Sequence, residues 1–208
     1  KNSLKSVATE VINLEINALK ILKKSINKNF DKAVNTIVNC QSKIILCGVG
    51  KSGLIAAKIA STLSSVGSPA FSLSANDCLH GDLGSITKKD ILILISNSGK
   101  SEEIIPIIKF ANRNKVKLIG IVSKKNSFLY KGSDIKILLP EVKESGLGVV
   151  PTSSTSIQLA IGDALAIAAL KKKQFSKYDF SRLHPGGNLG KQLKTVGDIM
   201  ATGVRIPF

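Results

Sequence analysis

Two short loops and two histidines carry the side chains that could do chemistry in this chain. Gly48-Val-Gly50-Lys51-Ser52-Gly53 joins glycines to a lysine and a hydroxyl. Backbone N–H groups at a helix start, with Ser52 beside them, suit an anion, and Lys51 can place positive charge over developing oxyanion density. Ser96-Asn97-Ser98-Gly99-Lys100-Ser101 sets four hydroxyl or amide side chains directly after an apolar run. Capping a helix would use one of them, whereas together they can saturate a phosphate without a metal. His80, in His-Gly-Asp-Leu-Gly, and His184, in His-Pro-Gly-Gly, both sit in glycine-rich text, where an imidazole can move protons near neutral pH. Neither has an Asp or Cys at metal-ligand spacing, so no metal is expected.

Gly48 to Gly53 literally matches GxGxxG, but the rest of a dinucleotide signature is missing. The second strand would end in Phe71-Ser-Leu-Ser74, and the first acid after it is Asp77. A nucleoside triphosphate loop ending on Gly50-Lys51-Ser52 would need glycine at position 45, which is Ile45. What remains is a phosphate or sugar cradle, and no cofactor is expected.

The elements that must position these loops follow from periodicity. Val11, Leu14, Leu19 and Leu22 predict an amphipathic helix over about Ser6 to Ile26, with a second near Asp31 to Cys40. Lys43 to Cys47 is a short apolar run that leads into the glycine loop, and Leu54 to Ser65 returns to helical spacing. That is a strand, a tight loop and a helix. Looser versions place strands at Ala70 to Leu73, Ile91 to Ile95, Lys117 to Val122 and Ile135 to Leu139, with a helix from Glu102. Strands written as continuous apolar runs are buried on both faces, so the expected fold is α/β: a doubly wound, mainly parallel five-stranded sheet flanked by helices. Ligands of such sheets bind beyond the carboxyl ends of the strands, where both loops fall. Ser154 to Leu170, rich in small and apolar residues, reads as a buried helix suited to a subunit interface.

The 208 residues correspond to one full domain. Hydrophobic residues make up 43% and charged residues 21%, the globular range, and no apolar run approaches the roughly 20 residues that cross a bilayer, so no membrane partner is expected. The chain opens at Lys1 with mixed apolar and charged residues, without the apolar core of an export signal. Cys40, Cys47 and Cys78 are odd in number and lack CxxC spacing, which fits free thiols in a reducing cytoplasm. The net charge of +16 is carried mostly by scattered lysines, with Arg113, Arg182 and Arg205 the only arginines, aromatics at 4% and no Trp. Nucleic-acid readers favour arginine forks and stacking aromatics, so the field is assigned to drawing in a phosphorylated small molecule.

Taken together, Gly48 to Gly53, His80 to Gly84, Ser96 to Gly99, Pro151-Thr-Ser-Ser-Thr155 and His184-Pro-Gly-Gly-Asn-Leu-Gly190 resemble the sugar isomerase (SIS) domain of the D-arabinose-5-phosphate isomerases, over about residues 5 to 200. The resemblance implies an SIS domain over 1–194. It also implies, for 195–208, a linker and truncated start of the paired CBS domains, carried by Gly197-Asp-Ile-Met-Ala-Thr-Gly203. It further implies a cytoplasmic aldose-ketose isomerase that interconverts D-ribulose 5-phosphate and D-arabinose 5-phosphate, on the way to 3-deoxy-D-manno-octulosonate and lipopolysaccharide. Its Lys, two Glu and His match Lys51, Glu103, Glu144 and His184 as catalytic residues, with Gly50, Ser52, Gly67, Ser68, His80, Ser96, Asn97, Ser98 and Ser101 against the substrate. A homotetramer built as a dimer of dimers is implied, with His184 reaching a neighbouring subunit's site. Two positions depart from the family pattern: Lys100, commonly Glu, which alters local charge, and Ser74, commonly His, which weakens any inhibitory zinc site. Two other readings stay open: an isomerase of another sugar phosphate, and a non-catalytic module that binds a sugar phosphate to regulate a partner.

Overall fold

Large aliphatic residues dominate the central strands, and successive side chains pack on opposite faces of one sheet. A computed structural model describes residues 3–184 and Met200. The expected CBS lead-in over 195–208, Met200 apart, and the Pro185 to Gly190 part of the last motif lie outside those residues. Five parallel strands, β1 (Ile44–Gly48), β2 (Ala70–Ser74), β3 (Ile91–Ser96), β4 (Lys117–Val122) and β5 (Ile135–Leu138), form one sheet in the order β2-β1-β3-β4-β5. The predicted doubly wound α/β sheet is therefore observed, with the five strands within a residue or so of their expected bounds.

On one face, Ile44, Leu46, Ile93, Ile95, Ile119 and Ile121 pack beneath α1 (Leu4–Ser25), α2 (Lys28–Val38), α3 (Lys51–Ser65) and α8 (Ser153–Lys172). On the other, Ile45, Cys47, Leu92, Leu94 and Leu118 meet α4 (Ala75–Leu79), α5 (Ile104–Arg113) and α6 (Phe128–Gly132). Each fully buried Ile or Leu stabilises the fold by roughly 2 kcal/mol, which is why β1 and β3 are buried along their whole length. Cys47 and Cys78 join this second cluster, and contact with Cys78, then burial, push the Cys47 thiol up, so it remains a neutral packing group. Two further short pieces flank α8 among the described residues. Gly146–Val149, α7, is a turn with Leu147 and Gly148 in left-handed conformation, and α9 (Lys177–Leu183) follows α8.

Helix α8 has 20 residues and is long and apolar enough to cross a membrane, contrary to the expectation from composition. Its apolar residues are used inside the fold. Ile157, Ile161, Leu165 and Ala169 enter the core, and Gly162 admits Ile59 of α3, where a Cβ would collide. The core of its own chain buries this face.

Asp90 anchors the amino-terminal edge of the sheet. Its carboxylate, 1% exposed, accepts from Thr87 N–H at 2.6 Å, Thr87 Oγ1 at 3.0 Å and Lys43 Nζ at 3.1 Å. Burial opposes the charge, but bonds from Thr87 N–H, Ser42, Lys43 and the Thr87 hydroxyl outweigh it and hold the carboxyl at about 2. A lowered folded-state value means stabilisation that is complete above the unfolded value near 3.8 and lost as pH falls through about 2. Asp90→Ala is expected to cost about 3 kcal/mol in urea unfolding at pH 7, because Thr87 N–H and Lys43 lose their acceptor. The difference between the two proteins should shrink below about pH 4.

Candidate active site

The strand order reverses between β1 and β3, so their following helices leave on opposite faces and a crevice opens at the carboxyl ends. Gly48 pairs in register with Ile95, which brings the loop before α3 beside the loop before α5. The two hydroxyl-bearing loops therefore flank the switch point.

Three glycines shape the first loop for different reasons. A Cβ on Gly48 would lie 2.8 Å from the Ser52 carbonyl, and one on Gly53 would lie 2.7 Å from the Gly48 oxygen, so strand and helix cross backbone to backbone. Gly50 has φ 57° and ψ −128°, a conformation open to glycine, yet a Cβ there would meet nothing within 4 Å. Open space over a left-handed glycine leaves room for a ligand against the backbone. The N–H groups of Lys51 and Ser52 open α3 without a partner from the preceding turn, and no acid occupies that first turn. Lys51 is exposed. The Ser52 hydroxyl points elsewhere: it donates to Gln158 Oε1 of α8 at 3.1 Å, and Gln158 is 1% exposed. Ser52 therefore offers its N–H, not its hydroxyl, to the crevice.

The second loop is held from within. Ser96, buried at the end of β3, accepts from Gly99 N–H at 2.9 Å, and Gly99 has φ 63° with no room for a Cβ against Ser127 Oγ and Val122. Asn97 accepts from the Ser123 hydroxyl at 2.7 Å, and its carbonyl accepts from Ser123 N–H at 3.1 Å. Ser98 and Asn97 are exposed, Ser101 half-buried. Ser98 Oγ accepts from Lys100 N–H at 3.3 Å, so three of the four expected phosphate ligands, Ser96, Asn97 and Ser98, also build the loop. Glu103 is half-buried at the N-cap position of α5, with no side-chain capping bond. His80, exposed, ends α4, whose first residue follows the carboxyl end of β2, on the same edge of the sheet.

Glu144, in the segment between β5 and α8, is held at the start of α8. Its Oε2 accepts from Thr152 N–H at 2.9 Å, Thr152 Oγ1 at 3.2 Å and Ser154 N–H at 3.3 Å. Burial raises its pKa, but the Ser154 hydroxyl, the two N–H groups and the Thr152 hydroxyl outweigh it, so the carboxyl sits below its ordinary value. These donors belong to a helix start, where a carboxylate is also favoured by the dipole. Glu144 is therefore ionised at neutral pH and anchored through one oxygen.

His184 lies elsewhere in the chain. Its ring stacks on Phe180 with centroids 3.9 Å apart, and Nδ1 bonds the Phe180 carbonyl oxygen at 2.8 Å. Helix α8 carries the chain about 30 Å from Glu144, and α9 with its short link spans about 20 Å, so the two residues do not meet within one chain. Gly67 and Ser68 are also away from the crevice. They precede β2 at its amino end, where the Gly67 oxygen and Ser68 Oγ receive Lys173 Nζ at 3.1 and 2.9 Å, and a Cβ on Gly67 would strike Phe175. Ser68 is fully buried, and within one chain the pair is engaged by Lys173 and Phe175 beyond the end of α8. Gln158 and Ser123 do not stand out in the sequence; the trace of Gln158 is one long polar side chain inside the apolar Ser154 to Leu170 run.

A five-stranded doubly wound sheet with hydroxyl-rich loops at its switch point is the architecture of SIS domains. The SIS domain family model matches residues 37–168, and the chain belongs to that family. It is 43% identical over 200 residues to the arabinose 5-phosphate isomerase KdsD of Yersinia pestis, covering 95% of this chain and 61% of that protein. It is 44% identical over 206 residues to KdsD of Francisella tularensis, covering 97% and 63%. The chain thus spans less than two thirds of the length of these relatives. Among solved structures, E. coli CFT073 c3406 in complex with arabinose 5-phosphate superposes with a TM-score of 0.85 at 34% identity, over 89% of this chain and all of that one.

Proposed function

We propose that this chain is the catalytic SIS domain of an arabinose-5-phosphate isomerase, interconverting D-ribulose 5-phosphate and D-arabinose 5-phosphate in the cytoplasm for 3-deoxy-D-manno-octulosonate and lipopolysaccharide synthesis. The observation that carries the reading is the likeness, over most of its length, to a chain in complex with arabinose 5-phosphate. In this reading 1–194 is the isomerase domain and 195–208 leads toward a CBS pair.

The reaction moves one proton between C1 and C2 through an enediolate, so it needs a carbon base, a proton shuttle between oxygens and a partner for the oxyanion. Glu144, already ionised, takes the carbon proton; its anchored Oε2 fixes the carboxylate and leaves it a second oxygen. Lys51 faces the developing oxyanion, and Glu103 orients Lys51 or a substrate hydroxyl. The phosphate rests on Ser98, Ser101, Asn97 and Ser96, with the Lys51 and Ser52 N–H groups and the open face of Gly50 completing the cradle. His80 borders the sugar. His184, distant from Glu144 in its own chain, serves a neighbouring subunit's site as ring opener and oxygen proton shuttle, which requires an oligomer such as the expected homotetramer.

Incubation with D-ribulose 5-phosphate and excess chelator, followed by NMR, is expected to give arabinose 5-phosphate with no added cofactor. Conversion that stops on chelation, or ligand binding without any aldose, would overturn the reading in favour of metal-dependent or regulatory function.

A further inference from the structure

A cleft of about 640 Å³ lies beside the phosphate loop, over the carboxyl ends of β3, β4 and β5. Lys100, Lys124 and Lys125 line it together with Ser98 and Asn126. Lys124 is compensated by Glu141 at 2.6 Å, whereas Lys100 and Lys125 have no ion-pair partner among the described residues. The cleft therefore carries an excess of about two positive charges in a concavity of ligand size, at the strand ends where sheets of this type bind ligands. Ser98 belongs both to this cleft and to the candidate phosphate loop. Gly99, pinned against Ser127 and Val122, fixes the wall between the two. A molecule with one phosphate has no use for the second charge cluster.

We propose that this cleft is a second anion site that takes the distal phosphate of a ligand carrying two phosphate groups, held across Ser98 with its first phosphate on the 96–101 loop. The inference rests on the reading of that loop as a phosphate cradle. Lysine ammonium groups serve as point-charge phosphate partners, so the cleft selects for charge more than for shape. A doubly phosphorylated metabolite bound this way would exclude the substrate of the neighbouring loop.

Inorganic pyrophosphate is the probe, titrated calorimetrically into the 208-residue protein at near-physiological salt and compared with inorganic phosphate. Pyrophosphate is expected to bind roughly tenfold or more tightly than phosphate, because it engages both charge clusters. Lys125→Glu should remove that advantage while leaving phosphate affinity within about threefold, and Lys125→Ala should fall between. Lys88→Glu, a lysine at the amino-terminal edge of the sheet, is the control and should leave both affinities in place. Equal loss in Lys125→Glu and Lys88→Glu would show a diffuse field of the +16 chain and overturn the site, as would equal affinity for the two anions or no effect of Lys125→Glu. Binding is read without turnover, so a failed isomerase assay leaves this result standing.

Discussion

Glu144→Gln is expected to lower isomerisation of D-ribulose 5-phosphate by about 100- to 10,000-fold, the usual range for loss of a positioned general base. The amide keeps the shape and can still accept from Thr152 and Ser154, so the α8 start should persist and KM should change far less than kcat. His184→Ala should be comparably impaired for a different reason, since Glu144 and His184 are separated by the length of α8 within one chain. If each site takes Glu144 from one subunit and His184 from another, mixing the two inactive proteins should restore activity. Random pairing across a two-fold interface leaves one intact site in half of the pairs, about a quarter of the wild-type rate. No recovery on mixing, with both variants folded, would place His184 in its own chain's site and require α9 to move. The bonds that hold Glu144 below the ordinary carboxylate range leave it ionised through neutral pH, so in the wild-type protein protonation of Glu144 should not limit the rate anywhere near neutrality.

Strand placement was legible because the central strands are written in short apolar runs, β3 as Ile91-Leu-Ile-Leu-Ile95 most plainly, while the edge strands β2 and β5 carry a weaker signal interrupted by Ser72 and Lys136. The glycine loop was legible for a similar reason: strand, tight turn and helix must follow one another, and the glycines mark the crossing. What stayed hidden is long-range. Nothing near Gly67 and Ser68 shows that Lys173, more than a hundred residues later, claims them from the far end of α8. Ser52 looks like a free phosphate donor until its hydroxyl is seen to donate to Gln158 Oε1. Glu144 reads as one acid in a polar stretch, and only the position of α8 shows three donors converging on one of its oxygens. The helix from Glu102 likewise begins two residues late, at Ile104, because Ser101 to Glu103 turn first and leave Glu103 at the loop margin. Local pattern sets elements, whereas the protonation and bonding of a site residue depend on which distant helix end arrives beside it.

Gly53→Ala tests whether the crossing of β1 and α3 is as tight as the geometry implies, because two effects act in opposite directions. In an open helix, alanine is favoured over glycine by about 1 kcal/mol, and Gly53 lies in the first turn of a 15-residue helix where that preference would stabilise the protein. The Cβ, however, would stand 2.7 Å from the Gly48 carbonyl oxygen and 3.3 Å from its carbon, both backbone atoms of a strand buried at every residue. A flexible side chain could swing aside; a central strand paired on both edges cannot move without disturbing β2 and β3. Overpacking of this kind costs about 1 to 3 kcal/mol, so the net change should be destabilising by about 2 kcal/mol in urea unfolding, not stabilising. The functional loss should be larger than the stability loss. Relief of the contact has to push the start of α3 away from β1, carrying the Lys51 and Ser52 N–H groups off the crevice and pulling Ser52 from Gln158. Affinity for inorganic phosphate should therefore fall by roughly tenfold or more even at temperatures where the variant is fully folded. A variant with raised stability and wild-type phosphate affinity would show that the strand and helix are not in backbone contact, and the cradle drawn from Gly48 to Gly53 would have to be abandoned.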